Sequence, residues 1–351
     1  MIIISVLAIF AISSTARADK EYTFDKDLKF DGNAVASLRI DMPSGDIKIE
    51  RSSGSEITLE FKNVVYADSK SKAEDINDDC EYDAKLVGDE IDIRVDLPKR
   101  RHKRDFLGKL FSGNWNDNTH IFLRVSIPDG KSVEIDASST DIEISDIKID
   151  LDVRGSSSDI EMRDTEGNVF CDLSSGDVEI FRHKGNARIK GNSSDVRIDG
   201  VDGDIDIRTS SGDGRLDEIS GSALISTSSG DYRIFSVGGN LDIKSSSGDI
   251  LVDGVAGSAY AESSSGDVRL SALSAEQGDF EVDTVSGDVS VEISSEFTGR
   301  LSLRSNSGDI SSRVSGDLET VSDSRLVANV GDGSGRLKVV TSSGDIRVTR
   351  Y

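Results

Sequence analysis

The sequence predicts an all-β protein: a parallel β-solenoid (β-helix) of about eleven coils of 18–21 residues behind an irregular, strand-rich N-terminal cap. Three observations carry this. First, an Asp after a Ser-rich stretch recurs at 141, 159, 177, 195, 213, 231, 249 and 267, always eighteen residues apart. The series continues at Asp288 and Asp309 with steps of twenty-one, ends at Asp345, and has an early equivalent in Ser44-Gly45-Asp46. Second, Gly167, Gly185, Gly203, Gly221, Gly239 and Gly257 each follow a repeat Asp by eight residues. Third, apolar residues fall one, three, six, ten and twelve places after the Asp, as in Val196, Ile198, Val201, Ile205 and Ile207. Spacings of two mark strands with one buried face. One such coil cannot bury its own apolar side, but stacked coils bury a continuous core and pair their backbones with each other. A helix needs spacings of three and four, and a disordered Ser/Gly/Asp tract would lack the regular aliphatic positions.

The elements follow in order. Residues 1–18 read as a signal peptide: an apolar run from Ile2 to Ile12, then Ala16-Arg17-Ala18 as a cleavage site, though no Lys or Arg precedes the run. Eleven apolar residues are too few to span a bilayer, which takes roughly twenty. No later segment reaches that length, and no Cys follows the signal to carry a lipid. The expectation is an exported protein: periplasmic, at the cell envelope, or extracellular.

Residues 19–130 break the period and read as an N-terminal capping module. Strand-like segments appear at Ile47 to Ile49 with Ile57 to Phe61, at Glu90 to Leu97 and at Ile121 to Ile127; all three prolines, Pro43, Pro98 and Pro128, lie in this module. A solenoid needs atypical end units because an open end exposes core and unpaired backbone. Inside the module, at 99–115, lies a basic and aromatic insertion. Lys99, Arg100, Arg101, Lys103 and Arg104 run into Phe106, Leu107, Leu110, Phe111 and Trp115. Bases beside apolar rings suit an anionic membrane surface or an acidic polymer. Equally, the rings suit a plug for the solenoid end whose bases pair with acidic coils. Residues 131–351 form the repeat domain. Between Asp309 and Asp345 the period predicts a degenerate coil with Val327 at the Asp position and Gly335 eight residues later.

The formal charge is −24, or −25 once Arg17 leaves with the signal. So acidic a chain repels phosphates, and nucleic acid is excluded as a partner. Cys80 and Cys171 have no metal-ligand spacing around them; they leave one disulfide open, though Cys171 occupies an apolar position and reads as a buried thiol. His102, His120 and His183 are far apart in sequence; His183 holds the six-residue position taken by Val201 and Ile219 in later coils. It reads as a partly buried ring, not a ligand.

The Ser-Ser-Gly-Asp corner reads as turn chemistry, since Gly accepts left-handed backbone and Asp and Ser bond turn amides. Stacking places these carboxylates about 4.8 Å apart, which makes calcium a second reading of the corner. The nonapeptide turn of calcium-binding rolls is missing, however. No coil breaks the pattern with convergent acid, base or nucleophile, and no G-x-S-x-G, H-E-x-x-H or phosphate loop occurs. The expectation is no enzyme and no cofactor. A polysaccharide-active β-helix enzyme and a calcium-stabilised rod are the competing classes.

Repeated Ser-Gly-Asp-Ile/Val units follow a cap reading Leu38-Arg39-Ile40-Asp41-Met42-Pro43-Ser44-Gly45-Asp46-Ile47-Lys48-Ile49, and Val125-Ser126-Ile127-Pro128-Asp129 precedes the coils. Together these resemble the bacterial "putative adhesin" family of β-helix proteins of unknown function. The resemblance implies adhesion to an envelope component, a glycan or a protein, and supplies no site residue. The segment at 99–115 has no counterpart in the family pattern.

Overall fold

The computed structural model describes residues 20–97, 119–273 and 278–351. The signal segment and the basic-aromatic insertion lie outside the described residues.

The repeat folds as its spacing predicts. Each turn contributes one strand to each of two parallel ladders. In the first ladder, Ile149–Ser157 pairs with Val169–Ser175, then Ala187–Ser193, Ile205–Ser211, Ala223–Ser229, Leu241–Ser247, Ala259–Ser265 and Asp279–Ser286. In the second, Ile160–Glu166 pairs with Val178–Lys184, then Val196–Asp202, Gly214–Ile219, Tyr232–Val237, Ile250–Val255, Val268–Leu273 and Val289–Ile293. Residues eighteen apart are direct register partners, as in Val196 with Gly214 and Ile205 with Ala223. The predicted apolar positions face inward: Val196, Ile198, Val201, Ile205 and Ile207 are all 0–2% exposed. Burying such a side chain stabilises by roughly 1.5–3 kcal/mol.

Alternation alone cannot turn positions one, three and six all inward, because six is out of phase with three. The phase changes at position five, where Asp146, Asp164, Arg182, Glu218, Ser236 and Ala272 take φ of 51–58° and Gly200 and Gly254 take 78° and 91°. A left-handed residue in every turn from 146 to 272 is therefore part of the coil. The switch from a spacing of two to a spacing of three was its trace in the sequence. At the Ser-Gly-Asp corner the chains approach closely: a Cβ on Gly212 (φ 124°) would sit 2.1 Å from the Ser194 carbonyl oxygen.

Both ends depart from sequence order. At the N-terminal end β1 is Lys20–Asp31, β2 Ser37–Arg51, β3 Glu56–Ala67, α1 Lys70–Asp78, β4 Glu81–Val87, β5 Glu90–Asp96, β6 Thr119–Ile127 and β7 Lys131–Ser145. β2 is itself a full turn, parallel to β7 through both of its halves. On its other side, Ser37–Asp41 pairs with β5 and Asp46–Arg51 with β6, so β5 and β6 together make a further turn. β4 covers β5, while β3 covers β6 and β1 covers β3, all antiparallel. The helix α1 was not expected. Ser69 Oγ caps it by accepting from the Lys72 N–H at 3.4 Å, and its Ala73 and Ile76 are buried in one cluster with Val65 and Ala67.

At the other end the expected degenerate coil is absent. Asp279–Ser286 pairs with Gly335–Ser343, which pairs in turn with Gly299–Ser307. Val289–Ile293, Ile346–Arg350 and Ile310–Ser312 repeat that order in the second ladder. The C-terminal turn thus lies between two turns that are neighbours in sequence. Gly335 begins this inserted turn. Val327 lies in Arg325–Val330, which runs antiparallel to Gly299–Arg304 and is flanked by Asp317–Ser322. The physical reason is the terminal edge: a hairpin crossing the last ladder pairs backbone that another coil would leave open.

Candidate binding groove

The corners hold the turns in register through side chains. Asp159 Oδ1 accepts the backbone N–H of Asp177 at 2.8 Å, and Asp177, Asp195, Asp213, Asp231 and Asp249 each do the same for the next repeat Asp at 2.8–3.2 Å. The chain of bonds continues from Asp267 to Asp288, Asp288 to Asp345 and Asp345 to Asp309, following the stack and not the sequence. The corner carboxylate therefore serves the adjacent turn's amide. Sequence reasoning had placed that bond inside its own turn.

A second ladder went unread. Nine residues after each repeat Asp from 141 to 249 stands Asp150, Asn168, Asn186, Asp204, Ser222, Asn240 or Ser258, directly after the turn's Gly in every case but Asp150, which follows Ile149. Asp150 Oδ1 accepts from Asn168 N–H at 2.8 Å, Asn186 Oδ1 from Asp204 at 2.9 Å, Asp204 Oδ1 from Ser222 at 2.8 Å, Ser222 Oγ from Asn240 at 3.1 Å and Asn240 Oδ1 from Ser258 at 2.9 Å. Its signal was present: a small acceptor side chain nine residues after every repeat Asp from 141 to 249.

This second corner borders a groove of about 870 Å³ that crosses eight turns of the first ladder, including those of Leu38, Glu90 and Leu224. At ~4.8 Å per turn it is on the order of 34 Å long. Its floor is the ten-residue position: Leu38, Val133, Leu151, Val169, Ala187, Ile205 and Ala223. One rail is the acceptor ladder from Asp150 to Ser222. The other is the outward row Glu134, Asp152, Phe170, Arg188, Asp206 and Leu224.

The outward rail is polarised. Arg154 donates to Glu134 at 2.6 Å and to Asp152 Oδ2 at 2.7 Å, leaving Asp152 Oδ1 with no protein partner. Burial raises the Asp152 pKa above the usual carboxylate range; Arg154 opposes the shift, and Glu134, Asp136 and Asp172 add to it. Asp206 accepts from both Arg188 and Arg208 at 3.1 Å. Lys190 lies 5.1 Å over the Phe170 ring, which holds the ring against the ladder. The groove thus offers hydrogen-bond acceptors along the rail from Asp150 to Ser222, arginine-bound carboxylates along the other rail, one aromatic face, and apolar contact at Leu224.

The sequence-predicted contact residues, Lys99, Arg100, Arg101, Lys103, Arg104, Phe106, Phe111 and Trp115, lie outside the described residues. The described residues on either side are Asp96, where β5 ends, and Thr119, where β6 begins. Cys80 and Cys171 are both free and buried, and burial pushes the Cys171 thiol up to about 12. His183 is fully buried, not partly; its Nδ1 lies 2.9 Å from Thr165 Oγ1, its Nε2 has no protein partner, and burial lowers its pKa.

Residues 56–238 and 236–349 match the family model for Toastrack DUF4097. The chain belongs to the Toastrack DUF4097 family. Its turns are that family's repeat, and the groove is a surface of a Toastrack stack. Similar solved structures include a putative cell adhesion protein from Clostridium sporogenes, 9% identical, covering 94% of this chain and 100% of that one at a TM-score of 0.24. A putative adhesin from Parabacteroides merdae is 10% identical, with 93% and 95% covered and a TM-score of 0.30. A putative lipid binding protein from Parabacteroides distasonis is 13% identical, with 94% and 96% covered and a TM-score of 0.29. No curated protein matches the chain. Among the described residues, no helix is long and apolar enough to cross a membrane.

Proposed function

We propose that this Toastrack protein is an exported, non-enzymatic scaffold that binds a linear, hydroxyl-rich polymer, a neutral glycan of the cell envelope, along the first-ladder groove. The observation that carries this is the repetition of the groove itself. Small acceptor side chains at Asp150, Asn186, Asp204 and Ser222 recur along one rail of the stack, with the Phe170 ring on the other. Hydroxyl groups donate to carboxylates, and a sugar's apolar face packs on an aromatic ring. A polyanion is disfavoured by the same carboxylates. The polar groups are spread along an axis instead of converging on one point, which is the arrangement of a binding surface and not of a reaction centre. Export rests on the signal-like residues 1–18.

The test is titration calorimetry of the mature protein with neutral and acidic oligosaccharides of increasing length. Affinity is expected to rise with length for the neutral series. Phe170→Ala and Asp204→Asn are each expected to weaken binding about tenfold, the loss of roughly 1.4 kcal/mol, with the melting temperature unchanged. Equal affinity of wild type and both variants, or turnover of the bound glycan, overturns the reading.

A further inference from the structure

On the second ladder, the outward side chains two places after the corner form one row in the register Glu143, Glu161, Glu179, Arg197, Arg215, Arg233, each the direct partner of the next. Three acids are stacked together, then three bases. Like charges directly opposite on adjacent strands destabilise a sheet, and alternation would stabilise it. The first ladder does mix its signs across turns, with Arg39 on Asp136, Arg154 on Glu134 and Arg188 on Asp206. The segregated row therefore calls for a partner.

The two blocks do not neutralise each other where they meet. Glu179 and Arg197 are register neighbours, yet no ion pair joins them among the described residues; the Arg197 guanidinium lies 5.4 Å over the Phe181 ring. Phe181 is 7% exposed, covered from the other side by Arg163 at 4.2 Å. Arg233 has no ion pair among the described residues. Arg215 pairs only with Asp217 on its own strand, at 3.6 Å. Glu143 is held by Lys48, its neighbour in the same row, and Glu161 by Arg163, both bases half-buried.

We infer that this face binds a second copy of the chain. Over these six turns the row reads acid-acid-acid, base-base-base, bounded by Lys48 before Glu143 and Leu251 after Arg233, so this six-turn block is complementary to itself reversed. A two-fold axis parallel to the strands, passing between the turns of Glu179 and Arg197, sets two stacks side by side and antiparallel. It brings Glu179 opposite Arg197 of the second copy, Glu161 opposite Arg215, and Glu143 opposite Arg233, each pair occurring twice. The same axis places Arg163 in the next outward row opposite Asp217. Such isologous contacts are the commonest way homodimers form. The net charge of −24 opposes association at long range, but at physiological salt that repulsion is screened beyond about 8 Å, while contact pairs are screened less. The interface uses the second ladder and leaves the first-ladder groove open, so the inference stands apart from the glycan reading.

Sedimentation velocity of the mature protein at physiological salt tests it. Wild type is expected to show a reversible monomer–dimer equilibrium. Glu161→Arg and Arg215→Glu, both surface changes, are each expected to weaken dimerisation about tenfold or more, with circular dichroism unchanged. The double variant Glu161→Arg/Arg215→Glu restores opposite charges across the axis and is expected to dimerise like wild type. A monomer at every concentration, a dimer indifferent to the single reversals, or a double variant that stays monomeric overturns the inference. A monomeric wild type that binds polyphosphate through its arginines overturns it as well.

Discussion

His183 shows how one residue's place in the coil decides its chemistry. It takes an inward position that neighbouring turns give to Thr165 and Val201, and burial holds its pKa below the usual 6.5. The unfolded chain therefore binds a proton more readily than the folded one. Stability from this group is complete above the unfolded pKa and is lost as pH falls from about 6.5 through the lowered folded value. His183→Val is expected to raise the melting temperature and to flatten its slope between pH 7 and pH 5. Thermal melts of both proteins across that range check this; parallel slopes would show that His183 is not the titrating group. The imidazole's position was legible from the eighteen-residue spacing. Its full burial was not, because that depends on how closely Thr165 of the adjoining turn packs against it.

At the scale of the element, the corner Asp is an inter-turn clamp. Its Oδ1 holds the next turn's amide while its charge repels the carboxylates about 4.8 Å away by about 1 kcal/mol each in water. Asn keeps the acceptor and removes the charge, and Asn186 and Asn240 already act this way at the other corner. Asp231→Asn is accordingly expected to be neutral or stabilising. Asp231→Ala leaves the Asp249 amide without its acceptor and is expected to lose about 1–2 kcal/mol in urea unfolding. Added millimolar calcium, or a chelator, is expected to leave the melting temperature of wild type unchanged. A rise that grows with calcium concentration would show cations bridging the ladder instead. That Asp and Gly made a corner was readable from Ser-Gly-Asp. Which amide the carboxylate served was not, because the partner lies eighteen residues away in sequence and one strand spacing away in space.

Across the whole molecule, the two ends are interlocked. At one end β2 lies between the turn of β5 and β6 and the turn of β7. At the other, Gly335–Arg350 lies between the turns beginning at Asp279 and Gly299. Among the described residues, the ladder pairings of the turn of Gly299–Ser312 are with the C-terminal turn and with Arg325–Val330. Deleting residues 335–351 is therefore expected to release it. Hydrogen exchange should show protection lost at Leu301 and Leu303, while Ile205 and Ile207 in the middle of the stack keep theirs. Persistent protection at Leu301 would mean that the turn can close directly onto Asp279–Ser286.

The sequence by itself determined the repeat: its length, its inward positions, its Gly-Asp corners and the all-β parallel stack. Each of these is a local rule applied turn after turn, so periodicity alone exposes it. The tertiary structure decided what periodicity cannot carry. It settled the order of the terminal turns, since Asp309 and Asp345 fit the same ladder in either order until backbone pairing chooses. It placed Leu38 and Glu90 of the N-terminal turns at the end of the groove and gave each corner acceptor its partner amide. These depend on pairings with segments outside the repeat or one turn away in space, which only the register of the ladders establishes.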